Sequence, residues 1–160
     1  MLVKPKLLLV DDEENILKQM RWALESDYDV FTTSVEGEAM NIFEKEKPPV
    51  VTLDLSLNPH NSADLGGMRL LEQILFQDPA TRAIVITGNG DDKNALRAIR
   101  LGAFDYYAKP VRIEELKIMI QRAMHIHQLQ QRVNQNDQIS GNAFHGMVGT
   151  SKPMKDIFRF

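Results

Sequence analysis

Four apolar stretches of this chain each end in a residue able to handle charge or phosphate: Asp11 and Asp12 after LLLV, Asp54 after VVTL, Thr87 after AIVI, and Lys109 after FDYYA. Carboxylates brought into one crevice repel each other unless a cation neutralises them or one takes up a proton. Their hard oxygens suit magnesium, which typically takes one or two carboxylates together with phosphate oxygens of a substrate. Such an ion also shields the charge of an incoming phosphoryl group, so that a rigidly held aspartate can attack phosphorus. The set therefore reads as a phosphoryl-accepting aspartate beside a magnesium site. Asp54, at the end of the central apolar run, is the expected nucleophile. The Thr87 hydroxyl is expected to reach a phosphoryl oxygen, with Gly88 leaving room for it, and Lys109 to supply a point charge. Taken singly, Asp11-Asp12 would be a helix cap, Thr87 a strand-end cap and Lys109 an exposed lysine. Their joint occurrence at successive run ends argues for a site.

These residues meet only if the runs are parallel strands of one sheet, whose carboxyl ends form the crevice where open α/β sheets bind ligands. The pattern agrees. Lys6 to Val10, Asp29 to Thr33, Val50 to Leu53, Ala83 to Thr87 and Phe104 to Ala108 read as strands. Between them, Glu13 to Ser26, Val35 to Lys47, Gly67 to Gln77 and Asp91 to Leu101 carry apolar residues at helical spacing. Pro48-Pro49 ends the second helix, and Gly102 suits a left-handed residue closing the fourth. Strands alternating with helices imply a doubly wound parallel sheet, since parallel neighbours need crossover connections of one hand. Strand order does not follow from this pattern.

Composition sets the outer bounds. The chain has 160 residues, 43% apolar and 26% charged, with a net charge of -3. That length suits one well-buried domain plus an appendage, and the charge carries no signature of direct nucleic-acid binding. The absence of cysteine excludes disulfides and thiolate metal sites. MLVKPKLLLV runs straight into Asp11-Asp12 and lacks the apolar core of a signal peptide, and no window approaches a membrane span. A cytoplasmic protein is expected.

After Pro110 a polar helix is expected from Arg112 to Ile139, with Ile113, Leu116 and Ile120 docking on the sheet. Its second half keeps only a seam at Ile126, Leu129 and Val133, followed by Asn136, at steps of three and four. A narrow seam with one polar member suits a two-stranded coiled coil, so a homodimer through the receiver face and this C-terminal helix is expected; a solvated, fraying helix end is the plain alternative. Ser140-Gly141-Asn142 reads as a linker, and Phe144 to Phe160 is too short to fold alone. His125 and His127 are two apart on this helix and do not share a face, which argues against a metal site there.

The set LLLVDDEEN, VVTLDLSLNP, IVITGN and GAFDYYAKP resembles the receiver domains of bacterial two-component response regulators, over roughly residues 4 to 125. The resemblance implies a flavodoxin-like (CheY-like) sheet of order 2-1-3-4-5 with an extended C-terminal helix. It also implies Asp54 as the residue phosphorylated by a sensor histidine kinase, and Asp11, Asp12 and Asp54 as Mg2+ ligands together with the backbone carbonyl of Ser56. Thr87 and Lys109 become the phosphoryl-sensing pair, and Tyr106 the aromatic switch that turns inward with Thr87. Lys109-Pro110 is a candidate cis bond, and Ser56 and Asn89 flank the site where they could tune the lifetime of the phosphoryl group.

The segment between Leu57 and Gly67 is longer than the compact loop common in receivers, and with TLDLSLNP it resembles regulators of PEP-CTERM exopolysaccharide systems. MVGTSKPM, from Met147, resembles the opening of the AAA+ ATPase of NtrC-type activators of sigma-54 RNA polymerase. No GxxxxGK[ST] loop follows, so a truncated regulatory fragment is expected. Its parts would be a receiver at 1–125, a dimerising helix and linker at 126–143, and the truncated start of the ATPase at 144–160. Sigma-54 polymerase and DNA would then be reached only through absent domains. Such a chain is a phosphoacceptor module and not an enzyme in its own right. Two rivals stand beside this reading. A constitutive pseudo-receiver would dimerise without ever carrying phosphate, and a haloacid dehalogenase-type phosphatase would expect a second acid where Ser56 stands.

Overall fold

The computed structural model describes residues 3–57, 66–88 and 90–143, with side chains described as far as 134. Within these residues five strands alternate with five helices: β1 (Lys6–Val10), α1 (Glu14–Leu24), β2 (Asp29–Thr33), α2 (Glu36–Glu46), β3 (Val50–Asp54), α3 (Gly66–Gln77), β4 (Arg82–Thr87), α4 (Asp92–Leu101), β5 (Asp105–Ala108) and α5 (Ile113–Ala143). The strands form one parallel sheet in the order β2-β1-β3-β4-β5. This is the doubly wound topology that the resemblance implies.

Alternation along the strands explains how both faces are covered. Leu8, Val10, Val51, Leu53, Ala83 and Val85 point to one side, where Phe43 of α2, Leu70 and Ile74 of α3 and Ala98 of α4 pack on them. Their neighbours Leu7, Leu9, Val50, Ile84 and Ile86 point to the other, under Leu17, Met20 and Leu24 of α1 and Leu116, Ile120 and Ala123 of α5. Because side chains alternate with period two, an all-apolar strand can serve two cores only if helices cover both faces.

The register sets the strand ends level. Val10 lies opposite Leu53, Asp54 opposite Ile86, and Thr87 opposite Ala108. Backbone bonds continue this order just past the strands: Leu55 N–H donates to the Ile86 carbonyl at 3.0 Å, and Lys109 N–H to the Thr87 carbonyl at 2.8 Å. The Lys109-Pro110 peptide is cis, as the sequence suggested. Gly102 closes α4 with φ of 116°, a left-handed conformation that glycine adopts without steric cost.

Gly67 is required for another reason. A Cβ there would overlap the Asp54 carbonyl oxygen and stand 2.6 Å from Leu55 Cα. The first turn of α3 therefore rests directly on the backbone that carries Asp54. Just before it, Gly66 N–H donates to the Leu57 carbonyl at 3.2 Å, joining the two ends of the segment 58–65. That segment, which includes most of the long loop noted in the sequence, lies outside the described residues.

The start of α5 is secured from the sheet. The Tyr107 hydroxyl accepts the Arg112 backbone N–H at 3.0 Å and donates to Glu115 Oε1 at 2.7 Å. It thereby does for this helix what an N-cap side chain usually does. One correction concerns the other end. Ser140-Gly141-Asn142, expected as a linker, is helical backbone, and α5 continues to Ala143. A single interior glycine costs about 1 kcal/mol relative to alanine and does not by itself end a helix. The chain divides into one compact unit up to His127 and a second from Gln128. The expected ATPase opening at 144–160 lies outside the described residues.

Two expected outcomes test these contacts. Gly67→Ala should destabilise the protein by about 1–3 kcal/mol, the usual cost of overpacking, seen as a lowered urea midpoint. Tyr107→Phe keeps the ring but leaves the Arg112 N–H without its acceptor, and should cost about 0.5–1.5 kcal/mol. Hydrogen exchange should then be faster in the first turn of α5 while the β3 amides stay protected.

Candidate functional site

Each acidic group arrives by a different route. Asp11 is the residue after β1, with its N–H on the Thr33 carbonyl at 3.3 Å, and its Oδ1 accepts the Glu13 backbone N–H at 2.9 Å. Asp54 is the last residue of β3, a strand whose five residues are all buried. Its side chain is wholly inaccessible to solvent. Ligand oxygens of Asp11, Asp12 and Asp54 all lie within 4.8 Å of one another. Lys109, from the end of β5, reaches Asp54 Oδ2 with its ammonium at 3.1 Å. Ser56 holds the other oxygen: both its hydroxyl, at 2.8 Å, and its N–H, at 3.0 Å, donate to Asp54 Oδ1.

The electrostatics separates the three acids. Burial, then the charges of Asp54 and Asp12, pushes Asp11 up to about 7, against the opposing pull of the Glu13 N–H and Lys109. Asp12 is also raised, by burial and by the Asp54 carboxylate beside it. For Asp54 burial acts upward too, but the Ser56 hydroxyl, the Lys109 charge and the Ser56 N–H together outweigh it and leave the carboxyl below its usual range. For Lys109 desolvation acts downward, but the Asp54 charge and hydrogen bond, with the charges of Asp11 and Glu13, together outweigh it and raise the ammonium. Thus Asp54 is kept as the anion, while Asp11 is held at a cost.

That cost is visible in the hydrogen bonding. Asp11 Oδ2 is buried without a partner. A buried acceptor left unsatisfied is expensive, and a hard divalent cation among these oxygens would satisfy it and remove the repulsion that raises Asp11 and Asp12. The donor set, carboxylates with no nitrogen or sulfur, fits Mg2+.

The other sequence-derived residues fall around this centre. Thr87 is buried at the end of β4. Gly88 opens onto empty space, since a Cβ there would meet nothing within 4 Å, so the protein's own packing makes no demand for glycine. Tyr106 on β5 is 44% exposed, the outward position of a side chain expected to turn inward. Asn89 lies outside the described residues. Sequence reasoning gave Ser56 a backbone role and overlooked the hydroxyl that grips Asp54. It also overlooked Glu13, whose carboxylate lies 3.6 Å from the Lys109 ammonium. The signal for Glu13 was its place directly after the aspartate pair.

Comparison with known proteins places this geometry in context. Regulatory protein AtoC of Escherichia coli (strain K12) is 26% identical over 155 residues, which is 95% of this chain and 32% of AtoC. The DNA-binding transcriptional regulator NtrC of the same strain is 30% identical over 152 residues, 94% of this chain and 31% of NtrC. The chain thus spans about a third of the length of these curated relatives. A crystal structure of a response regulator receiver domain protein from Clostridium thermocellum superposes with a TM-score of 0.71 at 35% identity, covering 79% of this chain and 98% of that one. The response regulator receiver domain matches residues 7–121. Because that match spans most of the chain and takes in the whole acidic crevice with Thr87 and Lys109, the chain belongs to the response regulator receiver domain family.

Proposed function

We propose that Asp54 accepts a phosphoryl group from a sensor histidine kinase and that its phosphorylation controls dimerisation, and through it transcription, in a longer regulator. The observation that carries this reading is the state of Asp54: buried, held as the anion, gripped at both oxygens, and within ligand distance of two further acids. Asp11, Asp12 and Asp54, with the backbone carbonyl of Ser56, would hold Mg2+. When bound, the ion supplies charge neutralisation for the acidic cluster and the incoming phosphoryl group. An Asp54 oxygen forms the new P–O bond as the P–N bond of the donor phosphohistidine breaks, its electron pair returning to the imidazole. Lys109, freed from an Asp54 oxygen that is now phosphorylated, turns its charge to the phosphoryl oxygens. The Thr87 hydroxyl follows them, and Tyr106 leaves its exposed position for the space Thr87 gives up.

The output is carried by α5. Its seam of Ile126, Leu129 and Val133 is exposed, at 36%, 39% and 50%, on a helix whose earlier turns are buried against the sheet. Those residues would pair with the same seam of a second copy, giving a receiver at 1–125 and a dimerising helix at 126–143. The likeness to NtrC and AtoC over nearly the whole chain supports reading 144–160 as the start of an NtrC-type ATPase module. Sigma-54 polymerase and DNA would be engaged by parts of such a regulator beyond these residues. Membership of the PEP-CTERM subgroup is proposed on the TLDLSLNP segment alone. Among the described residues no helix is long and apolar enough to cross a membrane, and a cytoplasmic site of action is proposed.

Acetyl phosphate with Mg2+ should add one phosphoryl group to the purified chain by intact mass. Asp54→Ala should add none, and Asp11→Asn should be at least about tenfold slower, the loss expected when a ligand or its supporting partner is removed. An unmodified chain, under conditions that label another receiver, would reject the phosphoacceptor reading in favour of a constitutive dimerisation module. Leu129→Asp should weaken self-association about tenfold or more, since one buried leucine contributes ~1.5–3 kcal/mol. Sedimentation equilibrium checks this, and an unchanged dissociation constant would remove the seam from the interface.

A further inference from the structure

We propose that Glu13 is a positioning residue for Lys109, holding its ammonium in competition with Asp54 and so setting how readily that charge reaches a phosphoryl group. The inference rests on the reading of Asp54 as phosphoacceptor. Among the described residues Lys109 has two carboxylate partners: Asp54 at 3.1 Å, fully buried on the floor of the crevice, and Glu13 at 3.6 Å, with its side chain 57% exposed at the mouth.

Glu13 is placed for this by backbone, not by chance contact. It is the N-cap residue of α1; its N–H is fixed on Asp11 Oδ1 at 2.9 Å and its carbonyl accepts the Leu17 N–H at 3.2 Å. An N-cap side chain normally folds back on the free N–H groups of its own helix. The Glu13 side chain makes no such bond and is directed at Lys109 instead. Substituting it therefore leaves the start of α1 without a lost cap.

The consequence follows from charge accounting around one ammonium. While Asp54 is a free carboxylate, the buried partner holds Lys109 more closely. Once Asp54 is phosphorylated, that oxygen no longer carries a full charge, and Lys109 is divided between the phosphoryl oxygens and Glu13. Removing the Glu13 charge leaves Lys109 wholly to the phosphoryl group, which speeds its arrival and slows its loss.

The test is a double-mutant cycle on the full chain with Mg2+ and acetyl phosphate. Glu13→Gln, which keeps shape and removes charge, should raise the phosphorylation rate about two- to fivefold, the range an exposed ion pair can supply. Glu13→Asp, which keeps the charge but shortens its reach, should behave like Glu13→Gln. In a Lys109→Gln background the Glu13 substitutions should have no further effect. If Glu13→Gln leaves the rate unchanged, or if its effect persists without Lys109, the proposal is overturned, the second result assigning Glu13 a general repulsion of anionic donors. A readout independent of phosphorylation is the Lys109 side-chain NMR signal of the metal-free protein. It should shift in Glu13→Gln, and an unshifted signal would dissolve the pairing even if the parent chain took no phosphoryl group.

Discussion

Two buried carboxylates, Asp11 and Asp54, with a third, Asp12, exposed beside them, oppose folding, and much of this structure is arranged around containing them. Burial and mutual repulsion both favour the neutral acid, yet Asp54 stays below the usual carboxylate range while Asp11 rises to about 7. The difference is made by partners. Asp54 has the Ser56 hydroxyl and N–H on one oxygen and Lys109 on the other; Asp11 has the Glu13 N–H on one oxygen and nothing on the second. The asymmetry suits the roles proposed for the two, Asp54 as the phosphoacceptor and Asp11 as a metal ligand.

Containment depends on rigidity, and rigidity on the sheet. β3 is buried throughout between β1 and β4, and the first turn of α3 presses on its last residue through the bare Cα of Gly67. Asp54 therefore has no easy way to retreat from its neighbours. Lys109 is anchored by its own N–H on the Thr87 carbonyl, so the cation and the threonine at its side are tied to the same pair of strands. A displacement of either is felt by the other.

Much of this was legible in the sequence because strands buried on both faces are written as uninterrupted apolar runs, and the residues that end them are conspicuous. Asp54, Thr87 and Lys109 could be read this way, as could the glycine closing α4. What could not be read arises where side chains meet across the fold. The Ser56 hydroxyl on Asp54, the Glu13 carboxylate at Lys109 and the Tyr107 hydroxyl at the start of α5 are polar contacts without periodicity. The continuation of α5 through Gly141 was missed because glycine was weighed as a breaker when the backbone bonds of a long helix outweigh its cost. Strand order came from the family resemblance and not from any property of the runs.

The bond between Gly66 N–H and the Leu57 carbonyl has a consequence for how this protein can vary. It pins together the two stems of the segment 58–65, one on buried Leu57 and the other on the helix that begins against Asp54. With these stems so fixed, the backbone on either side of Asp54 is held independently of the length of chain between them. Doubling a flexible loop costs only about 0.6 kcal/mol in closure entropy. Insertion between these two stems is therefore open to evolutionary drift and to engineering alike, with Leu57 and Gly66 held together as before.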